Sequence, residues 1–373
     1  MKKNIKVLRS TAVFIISFML MFLCCQSNMR ANSMAMNDSI SHTTDGGQVS
    51  TATFHNYISP KFEIVDRTKQ TYSYQEMVED LQLMQDVWSQ CIRCEMRSRT
   101  YQGRDIPVVY LGNPEAKYHV MVQAAMHARE YMASLLVMTM IEHYARNYET
   151  GFFQGKKLKW LLEKVCFVIM PMVNPDGVEI AQRGDDGAVT ADVKEWVQAN
   201  TQAGIQYDQI KSNARGVDIN HNFRNGFGLD KKLKKSKNYL NYPGENPLSE
   251  VESRLMLDVA QEYDFACFLN YHTSGNLIFY GCKNAPEQVN EQALKIANIV
   301  KRHTSYPLCG PEDIPECGTW ADEVEVCFLR PSTTIELGTQ NPVPISEFYG
   351  LYDKNLWVWA DLAYAIISGQ LTE

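Results

Sequence analysis

Strand-like and helix-like segments alternate between residues 105 and 173, and this alternation restricts the fold more than any other sequence feature. The segments "DIPVVYLG", "YHVMVQAAM" and "VCFVIMPMV" have the apolar, β-rich composition of buried strands. Between the last two, "EYMASLLVMTMIEHYARNY" is long and apolar enough for a largely buried helix. Such alternation predicts an α/β fold, in which helices cover both faces of a parallel or mixed sheet. Ligand sites in such sheets gather at the carboxyl ends of the strands.

The N-terminal residues have the features of an export signal. Four basic residues precede an apolar run from Thr11 to Cys25, whose 15 residues are fewer than the roughly 20 that a membrane-spanning helix needs. Small residues follow at Ala31-Asn32-Ser33, where a signal peptide is typically cleaved. We therefore expect a signal peptide at 1–33 and a secreted or cell-surface protein. An uncleaved signal, or a lipid on Cys24 or Cys25, would instead attach the protein to a membrane.

A polar stretch separates this signal from the main domain. Residues 34–70 predict a linker, too short for an independent prodomain, and residues 71–373 predict one folded domain. The segment "YSYQEMVEDLQLMQDVW" opens that domain as an amphipathic helix. Its apolar residues at near-helical spacing are Met77, Leu81, Leu83, Met84 and Val87.

The charge balance excludes one class of partner. Residues 34–373 contain 31 Lys and Arg against 43 Asp and Glu, a net charge of −12. A surface of this sign repels phosphate backbones, so we expect no nucleic-acid binding.

The cysteines of the exported part leave the disulfide pattern open. Cys166 and Cys267 lie inside apolar strand-like runs, where buried free thiols are expected. Cys91 and Cys94 form a CxxC pair without a second pair to complete a zinc knuckle. A local disulfide and two free thiols are both compatible with that spacing.

His127 and Glu130 stand three positions apart, just before the buried helix. As an isolated pattern this pair has two interpretations: two metal ligands, or the polar first turn of a helix in which an acidic residue suits the helix dipole. Spacing alone does not separate them.

Two further strand-like runs end in chemically reactive side chains. "DFACFLNY" leads directly into His272, and "TTIEL" carries Glu336 in an otherwise apolar strand. A carboxylate buried in a strand is costly unless a cation or a proton-transfer role accompanies it. An ion pair with a core Lys or Arg is the alternative for Glu336. Two imidazoles and a carboxylate leave one position of a tetrahedral zinc ion open, as hydrolytic sites require.

Seven segments together resemble the zinc metallocarboxypeptidases. In order they are "GRDIPVVYLG", "AMHAREYMAS", "PMVNPDGVEIA", "NARGVDINHNFRNGFG", "YPGENPLSEVESRLM", "NYHTSGNLIFYG" and "RPSTTIELG". Within that family the chain looks most like the bacterial γ-D-glutamyl-diaminopimelate peptidases, which cut peptidoglycan stem peptides. The resemblance covers roughly residues 72–367. It implies a three-layer α/β/α carboxypeptidase fold around a central mixed, twisted sheet.

The resemblance also implies the reactive centre. His127, Glu130 and His272 would hold one Zn²⁺ ion, and Glu336 would be the general base. Arg215 would stabilise the oxyanion, although Lys211, four residues earlier, is the alternative cation.

Substrate binding is implied for three residues. Arg129 matches an arginine that touches substrate, and Asn220 matches an asparagine that helps to hold a terminal carboxylate. His221 stands where many carboxypeptidases have the arginine that clamps this carboxylate, which puts strict C-terminal cleavage in doubt. Arg224, three residues on, is a candidate replacement.

The segment "CGPEDIPECGTWADEV" is a second departure from the family. It has no convincing tyrosine where animal carboxypeptidases carry one that closes over substrate. Its acidic residues have two interpretations, a site for the free ammonium of diaminopimelate or a solvated loop. They are Glu312, Asp313, Glu316, Asp322, Glu323 and Glu325.

These observations predict an exported zinc peptidase. Its expected substrate is a peptide, most specifically a peptidoglycan stem peptide cut at the γ-D-glutamyl-diaminopimelate bond. A general carboxypeptidase acting on peptide C-termini is the alternative enzyme. A wall-binding module without activity is the alternative of another class.

Overall fold

The apolar segments of the sequence form the strands of one sheet. The structure, a computed structural model, describes residues 63–313 and 318–371. In chain order its strands are β1 (Ile92–Arg99), β2 (Asp105–Leu111), β3 (Tyr118–Ala124), β4 (Phe152–Phe153), β5 (Lys156–Lys157), β6 (Val165–Met170), β7 (Phe265–Thr273), β8 (Leu277–Tyr280), β9 (Leu308–Cys309) and β10 (Ser332–Leu337).

Helices connect and cover these strands. They are α1 (Tyr74–Val87), α2 (Tyr131–Arg146), α3 (Leu158–Leu162), α4 (Pro175–Arg183), α5 (Ala191–Gln202), α6 (Val251–Ala260), α7 (Glu287–Thr304), α8 (Trp320–Asp322), α9 (Phe348–Asn355) and α10 (Val358–Ile367). A π-helical turn, Glu323–Cys327, continues α8.

The main sheet is mixed. Its eight strands follow the order β1-β2-β6-β3-β7-β10-β8-β9, while β4 and β5 form a separate hairpin. The four central strands β6, β3, β7 and β10 run parallel to one another. Antiparallel pairs join β1 to β2, β2 to β6, and β10 to β8. The four parallel strands therefore bring their carboxyl ends to one edge of the sheet.

Apolar side chains pack on both faces of this sheet. Because successive strand residues point to opposite faces, Val120 and Val122 of β3 enter one cluster and Met121 enters another. The first cluster includes residues of α1, α2, α7 and α10, and the second includes residues of α6 and α8. The three-layer α/β/α prediction is confirmed.

Helix α1 begins where the sequence places it. Ser73 and Glu76 form a reciprocal capping box that satisfies the first backbone N–H groups. Met77, Leu81 and Met84 are buried as predicted. Leu83 and Val87 are instead exposed, at 49% and 53%. The face of this helix that packs against the domain holds Met77, Leu81 and Met84, and it does not extend to these two residues.

Residues 63–70, assigned to the linker by the sequence, already belong to the packed domain. Val65 and Arg67 are buried. The fully buried carboxylate of Glu142 in α2 accepts hydrogen bonds from the backbone N–H groups of Ile64 and Val65, at 2.7 and 3.2 Å. Packing therefore begins before residue 71. The predicted signal peptide and the rest of the predicted linker lie outside the described residues.

The described cysteines are free thiols, including the buried pair Cys166 and Cys267 and both members of the CxxC pair. The expectation for Cys166 and Cys267 is confirmed. In the part of the chain that the structure describes, no helix has the length and apolar content needed to cross a bilayer.

Glu142 generates a stability prediction. Glu142→Gln removes an anion that pairs with Arg67 and Arg146 and accepts two backbone N–H groups. We expect the free energy of unfolding to fall by about 2 kcal/mol, since buried charged partners lose their counter-charge. Urea unfolding measures it. Glu149→Gln, at a surface pair with Lys159, should leave the free energy unchanged. Equal stability of both variants would contradict the anchoring role.

Candidate metal centre and active site

Two neighbouring parallel strands bring the three predicted ligands together. His127 follows the end of β3 by three residues, and Glu130 is the residue immediately before α2. His272 is the penultimate residue of β7. Strands β3 and β7 pair in register at Ala124 and Tyr271, so the polar residues that follow them meet at the carboxyl edge of the sheet.

The ligand atoms of these residues face one another. His127 Nδ1 lies 2.8 Å from Glu130 Oε1, and His272 Nδ1 lies 2.9 Å from Glu130 Oε2. The two Nδ1 atoms are 3.1 Å apart. All three side chains are buried, and one ligand atom from each lies within 4.8 Å of the others. No other described group of three His, Cys, Asp or Glu meets this criterion.

This donor set fits a zinc ion. Neutral imidazole nitrogens and a carboxylate are the ligands that Zn²⁺ takes in catalytic sites with an open position. Burial disfavours the charge on Glu130, but the two imidazoles outweigh it and hold the pKa of Glu130 below its usual range. The carboxylate is therefore ionised and available as a ligand.

Two buried side chains orient the imidazoles from behind. The amide of Gln123, on β3, lies 3.1 Å from His272 Nε2. Asp218 Oδ1 lies 3.4 Å from His127 Nε2. Partners of this kind fix the ring orientation of histidine ligands. The sequence analysis missed both residues, although a glutamine inside the apolar run "YHVMVQAAM" is the same signal that identified Glu336.

Glu336 lies beside the ligands. Strand β10 pairs with β7 in parallel, and the register places Glu336 opposite His272. Burial raises the pKa of Glu336 to about 7, with Glu130 adding to the effect and His272 opposing it. Glu336 forms no ion pair within the described residues, and the charges that favour its anion are those of His272, Lys211 and Arg129. A carboxyl that titrates near neutral pH suits a general base.

One cavity of about 340 Å³ opens onto this group. Its lining joins metal ligands, the candidate base and predicted substrate-binding residues. The lining residues that the sequence had already predicted for the site are His127, Asn220, His221, His272 and Glu336. Lys211, Asn270, Tyr280 and Trp320 also line it, and of these the sequence analysis had considered only Lys211.

The structure places the two candidate cations, Arg215 and Lys211, at different sites. Its guanidinium turns to Glu250, at 3.2 Å between Nη1 and Oε1, and it is absent from the cavity lining. Lys211 does line the cavity, and its Nζ lies 2.9 Å from Asp218 Oδ2. Of the two candidates, Lys211 is therefore the cation that lies at the cavity.

Asn220 and His221 reach the cavity as predicted. Asn220 Oδ1 accepts the backbone N–H of Trp320 at 3.0 Å, which fixes its amide. Burial lowers the pKa of His221, and although Asp218 opposes this, Lys211 and His127 add to it. His221 is thus neutral at neutral pH, so it lacks the charge of the arginine that it replaces.

Neither Arg129 nor Arg224, the two arginines that the sequence suggested for substrate binding, lines the cavity. Arg129 lies outside the cavity lining and donates to the backbone oxygen of Gln209 at 3.4 Å. Arg224 pairs through Nε with Glu323 Oε1, at 2.7 Å. Because Arg224 is committed to this pair and does not line the cavity, it is not a replacement clamp for a substrate carboxylate.

A buried cation site of two histidines and a glutamate, a carboxyl beside it and a lysine in the same cavity define a metallohydrolase of α/β/α architecture. The sequence profile described as "Zinc carboxypeptidase" matches residues 77–308. The chain belongs to the zinc carboxypeptidase family.

Individual relatives agree with this placement. Gamma-D-glutamyl-L-diamino acid endopeptidase 1 of Lysinibacillus sphaericus is 27% identical over 298 residues, which cover 78% of this chain and 72% of that protein. The thrombin activatable fibrinolysis inhibitor structure has a TM-score of 0.65 at 17% identity, covering 82% of this chain and 78% of its own. Carboxypeptidase A of Helicoverpa armigera has a TM-score of 0.60 at 20% identity, covering 81% and 75%. The two structures support the fold alone.

Lys211 and Arg215 give a paired prediction. We expect Lys211→Gln to lower kcat by about 100-fold, because a fixed cation is lost where the oxyanion forms. Arg215→Gln should change kcat by no more than about threefold, because its guanidinium is bound to Glu250 outside the cavity. Steady-state kinetics on any cleaved peptide tests both. The reverse order of effects would restore Arg215 to the oxyanion role.

Proposed function

We propose that this chain is an exported zinc-dependent peptidase that hydrolyses the γ-D-glutamyl-diaminopimelate bond of peptidoglycan stem peptides. The observation that carries the hydrolytic part is the meeting of His127, Glu130 and His272 in one buried group, beside a cavity that His127, His272 and Glu336 line. The name of the Lysinibacillus relative supports the substrate. The sequence pattern of residues 1–33 supports export.

In this proposal each residue has one task. His127, Glu130 and His272 hold the zinc ion, which when bound lowers the pKa of water and polarises the scissile carbonyl. Glu336 accepts the proton of the attacking water and passes it to the leaving amine. Lys211 stabilises the negative charge that develops on the carbonyl oxygen. Asp218 lies between His127 and Lys211 and holds both side chains in position.

The neutral His221 favours this substrate over an ordinary peptide C-terminus. A carboxypeptidase that requires a free terminal carboxylate gains from a bidentate arginine at this place. His221 offers a single neutral donor, and Arg224 is held by Glu323. The cavity therefore has a weak requirement for a terminal carboxylate, which allows cleavage inside a longer stem peptide.

Metal binding and catalysis separate in two variants. We expect one equivalent of zinc per chain in the wild type and in Glu336→Gln, since Glu336 is outside the ligand set. Hydrolysis by Glu336→Gln should fall by about 1000-fold, because the proton acceptor is lost. His272→Ala should lose zinc as well as activity. Atomic absorption and peptide hydrolysis measure both properties. Full activity in Glu336→Gln would end the general-base assignment.

Substrate choice separates the two enzyme functions. Incubation with muropeptides should give products cut between D-glutamate and diaminopimelate, identified by mass. A peptide with a hydrophobic C-terminal residue should be a poor substrate, because no arginine clamp is present in the described cavity. The general carboxypeptidase is the better account if only the ordinary peptide loses its last residue.

A further inference from the structure

The cavity has a second wall built from residues 319–325 and strand β10. Ser332, Thr334 and Glu336 alternate along β10 and all line the cavity. The four steps of strand from Ser332 to Glu336 span about 13 Å. Ser332 therefore marks the end of the cavity farther from the candidate base. Asp322 and Glu325 line the cavity together with Ser332.

The buried acidic residues of this wall differ in their partners. Asp322 caps α8, because its Oδ2 accepts from the backbone N–H of Thr319 at 2.9 Å. Glu323 is paired with Arg224. Glu325 is also fully buried, and its Oε1 accepts from Ser332 Oγ at 2.8 Å. Its other oxygen, Oε2, has no hydrogen-bond partner in the described chain.

These positions decide between the two interpretations of the acidic segment. Asp322, Glu323 and Glu325 are buried, so residues 322–325 are not a solvated loop. Glu312 and Asp313 are exposed, and Glu316 lies outside the described residues. Among the described acidic residues of this segment, Asp322 and Glu325 line the cavity, and Glu325 contributes a buried oxygen that has no hydrogen-bond partner.

The surroundings of Glu325 favour a cationic ligand. Burial raises the pKa of Glu325 to about 7, and although Ser332 and Cys282 oppose this rise, Asp322 adds to it. A thiol is a weak donor, so Cys282 does not replace a counter-charge. Among the described residues that line the cavity, Lys211 alone is a lysine or arginine, and it is paired with Asp218. An ammonium ion beside Oε2 would supply both the missing hydrogen bond and the missing positive charge.

We propose that Glu325, with Asp322 nearby, forms a subsite for a primary ammonium group on the substrate side chain that enters this cavity. This inference rests on the proposed function and names the residues that recognise the side chain of its substrate. A side chain of lysine length carries its nitrogen about 6 Å from Cα. From a residue held near Glu336, a side chain of this length extends further toward Ser332 than alanine or valine does. Lysine and diaminopimelate both carry such an ammonium group.

The experiment compares substrates that differ only in this ammonium group. Zinc-loaded protein is assayed with γ-D-glutamyl-L-lysine and γ-D-glutamyl-L-norleucine peptides, and with the matching α-linked pair. Norleucine keeps the length of the lysine side chain to its ε-carbon and lacks the charge. We expect kcat/KM to favour lysine by about 30-fold or more on whichever linkage is cut, since a buried polar group rejects an analogue that leaves it unpaired.

Variants of two acidic residues locate the preference. Glu325→Gln should reduce the lysine-to-norleucine ratio to about threefold or less, while the norleucine rate stays near that of the wild type. Glu312→Gln removes one charge from the same segment at an exposed position and should keep the ratio. Zinc content and the norleucine rate report whether Glu325→Gln is folded. The wild-type comparison tests the subsite without any variant.

Each outcome has a separate meaning. Equal wild-type rates for lysine and norleucine overturn the subsite, as does a lysine preference that survives in Glu325→Gln. Cleavage of the α-linked pair alone overturns the proposed linkage, and the ratio within that pair still tests Glu325. A lysine preference that is lost in Glu325→Gln and kept in Glu312→Gln establishes the subsite.

Discussion

The structure depends on the close approach of electron-rich atoms at the end of β3 and β7. Two imidazole nitrogens 3.1 Å apart and the oxygens of one carboxylate occupy a buried space. Such atoms repel one another unless a proton or a metal cation lies between them. The backbone holds them there regardless, because two parallel strands in register end side by side and α2 begins at Glu130. The fold therefore holds these atoms in an arrangement that a bound divalent cation would stabilise.

The rest of the active site extends this charge balance. Burial disfavours the charge on Asp218, but Lys211 and His127 outweigh it and hold the pKa of Asp218 well below its usual range. Asp218 is thereby an anion that links His127 to Lys211. At the far end, Glu325 has no comparable cation among the described residues. The protein itself supplies the counter-charge of Asp218, whereas the charge of Glu325 is left for a ligand to balance.

Local sequence identified the residues whose position follows from strand order. His272 and Glu336 lie at strand ends, and His127 and Glu130 lie between β3 and α2. Spacing alone left the His127–Glu130 pair open, and the resemblance to the family supplied the grouping of the four residues. Lys211 and Arg215 were harder to separate, because both are cations in one loop. Arg215 is drawn away by Glu250, which is 35 residues distant, and no local pattern encodes that pairing.

The same limit applies to the acidic segment. Glu323 and Glu325 are two residues apart in one π-helical turn and are both buried. Glu323 has a cationic partner and Glu325 has none among the described residues, because Arg224, about 100 residues earlier in the chain, contacts only Glu323. Long-range partners of this kind depend on the packing of α8 against the 3₁₀ turn at Ile219–His221. The sequence shows that the segment is acidic, but it does not show that Oε2 of Glu325 lacks a hydrogen-bond partner.

X-ray absorption at the zinc edge tests the central claim most directly. The account predicts a first shell of nitrogen and oxygen at about 2.0–2.1 Å, with the multiple scattering of two imidazoles and no sulfur. A shell containing sulfur at about 2.3 Å would place zinc on cysteines instead. That result would contradict the metal centre formed by His127, Glu130 and His272.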